Sequence, residues 1–202
     1  AITGSLVNSA GTLTVDGGNA ILSGPVDTGT GAWLVGSTGS GVLNVVPGAA
    51  IMKNGHFRIG VSAGSSGAVN FTGGSYTNLL AWSFNNFAVG VLGYGALTVS
   101  GGDIDSRGFL MGCGNDPASM GIGTISGGSV TVDASVVLPY YTGTATLTVA
   151  TNGTITRTGA GNLNINHKGN GRGELNLTGG MFDNGNGLVH FGTGPSAAAG
   201  GS

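Results

Sequence analysis

One short phrase of alternating apolar and polar residues recurs along the chain and dominates its hydropathy pattern. The phrase is a glycine, any residue, then apolar, polar, apolar and polar residues, usually closed by a glycine pair. Its copies begin at Gly11, Gly41, Gly67, Gly95, Gly121, Ala145 and Gly173, and the copy at Ala145 is degenerate. The mean spacing is 27 residues. A period of this length is typical of repeat proteins that stack one structural unit per repeat.

Each unit contains three segments with the signature of a β-strand. Within the phrase the period is two, so Leu13 and Val15 face one side and Thr14 faces the other. The glycine pair predicts a tight turn with positive φ. A shorter strand follows the turn and is clearest at residues 129–133. A third segment, such as AWLVG or HFRIG, closes the unit.

Three strands in each 27-residue unit predict an all-β fold, a single-stranded parallel β-solenoid (β-helix) of about seven coils. Residues 1–194 are expected to form this single domain, and residues 195–202 a Gly/Ala/Ser tail. Equivalent strands would stack about 4.8 Å apart. Ordering one residue's backbone costs about 1–2 kcal/mol, whereas burying one apolar side chain returns about 1.5–3 kcal/mol. A single coil therefore cannot fold alone, and stacking is obligatory.

Stacking places side chains that share a position in the unit over one another. The inward positions of the third strand predict a structural core column made of Trp33, Phe57, Phe87 and Phe109, with Val35, Ile59, Val89 and Met111 two residues on. The outward position of the first strand predicts a hydrogen-bonded polar ladder of Thr14, Asn44, Asn70, Thr98, Thr124, Thr148 and Asn176. The outward side chains of the third strand predict a lateral contact surface of Leu34, Leu110 and Val137.

Neither end of the pattern carries a helix or a charged cap. Exposed strand edges are templates for pairing with another chain. Two interpretations follow: the chain is a slice of a longer solenoid, or its ends meet copies of themselves, and on the second we expect a homo-oligomer or polymer that assembles through open solenoid ends.

Composition narrows the class of protein. The chain has 44 glycines without a three-residue period, 7% charged residues and 40% hydrophobic residues, which excludes collagen and argues against disorder. Its six basic residues are scattered, so no nucleic-acid partner is expected. Apolar stretches such as residues 136–141 are too short to cross a bilayer, so no transmembrane segment is expected. The single Cys113 forms no internal disulfide and is interpreted as an incidental thiol.

The phrases GALTVSGGDIDSRGFLMG and GTISGGSVTVDASVVL resemble the glycine-rich β-strand repeats of bacterial autotransporter passenger regions and bacterial surface repeat proteins. The resemblance spans essentially the whole chain. It implies an extracellular or cell-surface location, in a bacterium, and an adhesive or scaffolding role. A glycan or other surface partner is compatible with that role. The resemblance transfers no catalytic residue.

Candidate chemistry is sparse. Asp103, Asp105 and Arg107 would point outward together, as in β-helical enzymes that act on polysaccharides, but neighbouring coils offer only Ser75/Thr77 and Ser129/Thr131 at the equivalent places. The histidines His56, His167 and His190 fall at different places in the unit, so no metal or cofactor is expected. Threonine rows that would suit ice binding are interrupted. The sequence therefore predicts a structural, non-enzymatic module, with adhesin, ice-binding and polysaccharide-active functions as alternatives.

Overall fold

The computed structural model describes the backbone of residues 6–7, 13–15, 18–22, 25–27, 32–53, 55–78 and 87–192. Side chains are described for residues 32–52, 55–78 and 87–192. The predicted tail, residues 195–202, lies outside this part of the chain.

The described residues form short strands separated by turns. In chain order the strands are β1 (Leu6–Val7), β2 (Leu13–Val15), β3 (Gly18–Leu22), β4 (Pro25–Asp27), β5 (Trp33–Val35), β6 (Ser40–Val45), β7 (Ala50–Lys53), β8 (Phe57–Ile59), β9 (Ser66–Asn78), β10 (Phe87–Val89) and β11 (Tyr94–Ser106). They continue with β12 (Phe109–Met111), β13 (Met120–Ile125), β14 (Gly128–Val132), β15 (Val136–Leu138), β16 (Thr144–Ala150), β17 (Gly153–Arg157), β18 (Leu163–Ile165), β19 (Arg172–Thr178), β20 (Met181–Asp183) and β21 (Val189–Phe191).

These strands stack as a parallel β-solenoid of about six to seven turns, which confirms the predicted fold class. Strands in the first and second positions of each coil belong to one 13-stranded sheet, and strands in the third position form an 8-stranded sheet. In two central coils the first and second strands are continuous, as β9 and β11, and the pairing passes the glycine pair through bulge-like register shifts. Equivalent strands of neighbouring coils pair in parallel.

Left-handed residues make the two best-defined corners. At the glycine pairs, Gly102 has φ 82°, which confirms the predicted positive φ, although the strand β11 continues through this pair with a register shift and not a tight turn. At the corner after the third strand, Gly90 has φ 70°, and a Cβ atom there would lie 2.1 Å from the carbonyl oxygen of Met120 in the next coil. This position therefore requires glycine for both its conformation and its space.

The first copy of the sequence phrase is assigned wrongly by the pattern. β2, which contains Leu13 and Thr14, pairs with β5 in the third position, so Thr14 lies beside Leu34 and not in the ladder with Asn44. The first-position strand of this coil is β3, whose Ile21 lies opposite Asn44. The coil therefore begins near residue 18 and not at residue 11. The reason is that the first and third strands both alternate apolar, polar and apolar residues, and only their pairing distinguishes them.

The predicted core column lies in the third-position sheet, in register from coil to coil. The ring of Phe87 is stacked on Phe57, with centroids 4.8 Å apart, and on Phe109, with centroids 5.7 Å apart. Trp33 is tilted on Phe57 at 5.8 Å. Val35, Ile59, Val89 and Met111 are also buried. Tyr76 of the second position, which the pattern analysis did not include, packs edge-on against both Phe57 and Phe87 at 5.3 Å.

The first-position core column lacks a side chain in one coil, and a longer side chain from a third-position strand fills the space. The inward column of the first position runs Leu43, Val69, Leu97, Gly123 and Leu147, so one coil has no side chain there. A Cβ atom at Gly123 would lie 3.0 Å from Cε of Met111 and 3.0 Å from Cδ1 of Leu147. The long Met111 side chain therefore reaches into the space that Gly123 leaves, which keeps the core filled.

Candidate functional surfaces

The predicted polar ladder is continuous over six coils. Asn44, Asn70, Thr98, Thr124, Thr148 and Asn176 are direct strand partners in succession. The side-chain amide of Asn70 donates a hydrogen bond to Oδ1 of Asn44 at 2.9 Å. The ladder lies on the outer side of the first-position strands, beside a second outward column that includes Ala96 and Ile122.

The predicted lateral contact surface is wrong in its main members. Leu110 and Val137 are 1% and 0% exposed, and they form a buried cluster with Ala88 and Cys113 on the outer side of the third-position sheet. Val91 and Tyr140 pack against this cluster. Leu34 is half-buried. Residues such as Val91 and Tyr140, which follow third-position strands, pack over the outer side of this sheet, which the alternation of a strand cannot reveal.

Cys113 belongs to this outer cluster. Its thiol lies 4.0 Å from the carbonyl oxygen of Gly90 and is buried. Burial raises the pKa of the Cys113 thiol to about 11. Because the thiolate is the nucleophilic form, this raised pKa leaves little of it at neutral pH.

The candidate catalytic residues Asp103, Asp105 and Arg107 are joined by a third carboxylate, that of Asp133, which contacts Arg107. Asp103 and Asp105 are exposed on the outer side of β11, and Asp103 accepts a hydrogen bond from the hydroxyl of Ser129 at 2.6 Å. Arg107 forms its ion pair with a different carboxylate. It makes two contacts with Asp133 of the next coil, from Nη2 at 2.7 Å and from Nε at 2.8 Å.

Asp133 was missed in the sequence. The strand alignment places Asp105 opposite Thr131 and Ser106 opposite Val132, so Asp133 follows opposite Arg107. Extending the alignment of the two coils by one residue beyond Ser106 and Val132 would have identified Asp133. Partial burial and, secondarily, the charge of Asp133 raise the pKa of the Asp105 carboxyl. The arrangement pairs one carboxylate with arginine and leaves Asp105 facing a like charge.

A second polar cluster lies at the corner of the last two described coils. The rings of Tyr140 and Tyr141 meet edge-on at 4.4 Å, and Lys168 Nζ lies 3.1 Å from the Tyr140 hydroxyl. His167 is tilted on Tyr140 at 5.0 Å. Burial and the positive charges of Lys168 and His190 lower the pKa of His167. The strand alignment places His190 opposite Asn164 and not opposite His167.

Arg157 is a buried cation that donates hydrogen bonds to neutral oxygen atoms. It is 2% exposed and lies at an inward position of β17. Its guanidinium donates to Oδ1 and the carbonyl oxygen of Asn184, at 2.9 and 2.5 Å, and to the carbonyl oxygen of Gly159. These bonds tie the corner of the last coil to the coil before it, which gives this cation a structural role.

The last described coil leaves its core positions uncovered. Val189 and Phe191 are 47% and 73% exposed, whereas their strand partners Leu163 and Ile165 are 3% and 8% exposed. Three more apolar side chains of this coil are also exposed, namely Leu177, Met181 and Leu188. β19, β20 and β21 each have a strand partner on one side. At the opposite end of the described stack, β1, β2 and β3 also have a strand partner on one side only.

Comparison with family models, curated proteins and solved structures finds no match to this chain. The function must therefore be argued from the surfaces themselves.

Among the described residues, no group of three or more histidine, cysteine, aspartate or glutamate side chains could hold a metal ion. The same residues include no helix with the length and apolar character needed to cross a membrane.

Proposed function

We propose that this chain is a structural β-solenoid module that joins copies of itself end to end, building a filament, sheath or surface layer outside the cell. One observation carries the proposal, namely the exposure of Val189 and Phe191 at positions that are buried in the preceding coils. An edge with uncovered core residues and strands that pair on one side only can pair with the opposite edge of another copy.

The direction of the strands determines the type of assembly. All coils run the same way, so one end presents the edges of β1, β2 and β3 and the other presents β19, β20 and β21. A contact between two different ends is heterologous, and such contacts propagate into open filaments unless a ring closes. Each added chain would continue the parallel pairing at about 4.8 Å per rung.

The location outside the cell is supported by the resemblance to bacterial surface repeats. The scarcity of charge, 14 charged residues in 202, is also suited to an assembled state, because surfaces with few charges associate readily.

The proposal is tested by measuring polymerisation of the purified chain. We expect filaments in negative-stain images, growth of light scattering with concentration, and a meridional reflection near 4.8 Å in oriented samples. The double variant Val189→Asp/Phe191→Asp should remain as single particles, because two charges at the end oppose burial. Met52→Asp is the matched control, since Met52 is 48% exposed and lies in an earlier coil. It should polymerise as the original chain does.

Two results would contradict the proposal. One is an original chain that remains monomeric at every concentration. The other is a double variant that polymerises as well as the Met52→Asp control.

A further inference from the structure

The outer side of the first-position strands is free of charge over five adjacent coils. Residues 40–45, 66–72, 94–100, 120–126 and 144–150 include no lysine, arginine, aspartate or glutamate. The first charged side chains on this side are Arg172 and Glu174 of β19. A partner that approaches this flat sheet therefore desolvates no charge and meets no electrostatic repulsion.

This uncharged face carries the exposed apolar side chains of Tyr94, Met120 and Ile122, and the exposed Leu92 lies at the corner just before it; we name these four residues the first-face patch. Tyr94 and Met120 are strand partners, Ile122 follows on the same side of β13, and Leu92 lies two residues before Tyr94. Their exposures are 39%, 40%, 38% and 36%. Apart from the last coil, most of the exposed large apolar side chains of the described residues are in this patch. Contiguous apolar patches mark interaction sites.

The area of the face indicates how strong a contact it can make. Five strands about 4.8 Å apart, each about six residues long, cover roughly 500 Å². Two such faces would bury about 1,000 Å² in total, at the lower limit for a specific interface. A pair of isolated chains would thus associate reversibly, and many chains held in one filament would associate far more tightly through multivalency.

We propose that the first-face patch packs against the same patch of a second copy of this chain and joins neighbouring filaments side by side. The contact is isologous, because the same surface serves both partners. Small side chains such as Ala68 and Ala96 flank the patch and allow two sheets to approach at about 10 Å. The adjoining Asn/Thr ladder provides side chains that hydrogen-bond across such a contact. The strength of bundling rests on the end-to-end assembly proposed above. The weak contact between two isolated chains does not depend on that assembly.

The test compares two sets of variants that separate the ends from the face. Met120→Glu/Ile122→Glu places two charges in the patch, on side chains that point outward from β13, so the fold should be retained by circular dichroism. We expect filaments of the original length that no longer bundle in electron micrographs. Met52→Glu is the control and should bundle as the original chain does.

The same face is measured without filaments in the Val189→Asp/Phe191→Asp background. Sedimentation velocity should reveal a reversible dimer at high protein concentration. Adding the two patch substitutions should weaken this dimer at least tenfold. A dimer that depends on the patch, together with an absence of filaments in the original chain, would support the lateral contact and contradict the end-to-end proposal.

Two outcomes would overturn the lateral contact. One is bundling and dimerisation that the patch substitutions leave unchanged. The other is patch substitutions that abolish adsorption to microcrystalline cellulose but leave self-association intact, since the surface would then serve a polysaccharide.

Discussion

The match between Met111 and Gly123 gives a stringent quantitative test of how the coils pack. In the three coils before this pair, the first-position column carries Leu43, Val69 and Leu97, and the third-position column carries valine or isoleucine two residues after its aromatic ring. At this pair the third-position strand β12 carries the long side chain of Met111, and the first-position strand β13 carries no side chain at Gly123. If Met111 occupies the space beside Gly123, changes at the two positions must be coupled.

The magnitudes follow from the volumes involved. Met111→Val shortens a fully buried side chain and removes both Sδ and Cε from beside Gly123, which costs about 1–2 kcal/mol in transfer free energy and cavity formation. Gly123→Ala introduces a Cβ atom 3.0 Å from Met111 Cε, and this overpacking is offset by the restricted backbone of the unfolded chain, for a net cost of about 0–2 kcal/mol. In the double variant the new methyl group enters the space that methionine vacates. We expect the double variant to be about 1–2 kcal/mol more stable than the sum of the two single changes predicts.

The assay is urea denaturation of the four proteins, followed by circular dichroism, with a common slope required before midpoints are compared. Phe87→Leu serves as a control, because Phe87 lies one coil before Met111, and the atoms nearest to a Cβ at Gly123 belong to Met111 and Leu147. Combining Phe87→Leu with Gly123→Ala should give additive effects. Additivity of the Met111 and Gly123 changes would refute the proposed compensation.

Two further predictions concern titrating groups. The folded protein raises the pKa of Asp105, so its ionisation costs stability above that pKa, and the cost disappears as pH falls below it. Asp105→Asn should therefore raise the melting temperature at pH 7 and lose this advantage near pH 3, whereas Asp103→Asn should not raise it, because Asp103 accepts a hydrogen bond from Ser129. A stabilisation that persists unchanged in acid would contradict this reasoning. With a pKa near 11 and a buried sulfur, Cys113 should react with Ellman's reagent at pH 8 at least 100-fold more slowly in the folded chain than in 6 M guanidinium. Rapid stoichiometric labelling of the folded chain would show that the outer cluster opens readily.

The period of the sequence was sufficient to predict the fold and most of its core. Trp33, Phe57, Phe87 and Phe109 are stacked because residues at one position in the unit must lie one strand apart. Strand assignment in the first coil was not predictable in the same way. The residues around Leu13 fit the first and third positions equally well by alternation, and pairing with Trp33 decides between them.

Surface features were less accessible to sequence reasoning. Outward alternation predicts that Leu110 and Val137 face solvent, but it contains no information on whether corner residues such as Tyr140 fold back over them. The contact between Arg107 and Asp133 joins two coils and requires the register of both. The first-face patch was missed for a related reason, because Met120 and Tyr94 look unremarkable singly and become a surface only when their strands are aligned.

The parallel register also has a mechanical consequence. Backbone hydrogen bonds between coils run along the stacking axis, and equivalent residues such as Asn44 and Asn70 are 26 residues apart in the chain. A force applied between the two ends of the described stack therefore loads the hydrogen bonds of one rung at a time and does not shear many rungs together. Each rung that opens releases about 90 Å of extended chain while shortening the rod by only about 4.8 Å. Such a rod extends under tension in small, repeated yielding events, and an assembly of these rods would dissipate load gradually before it breaks.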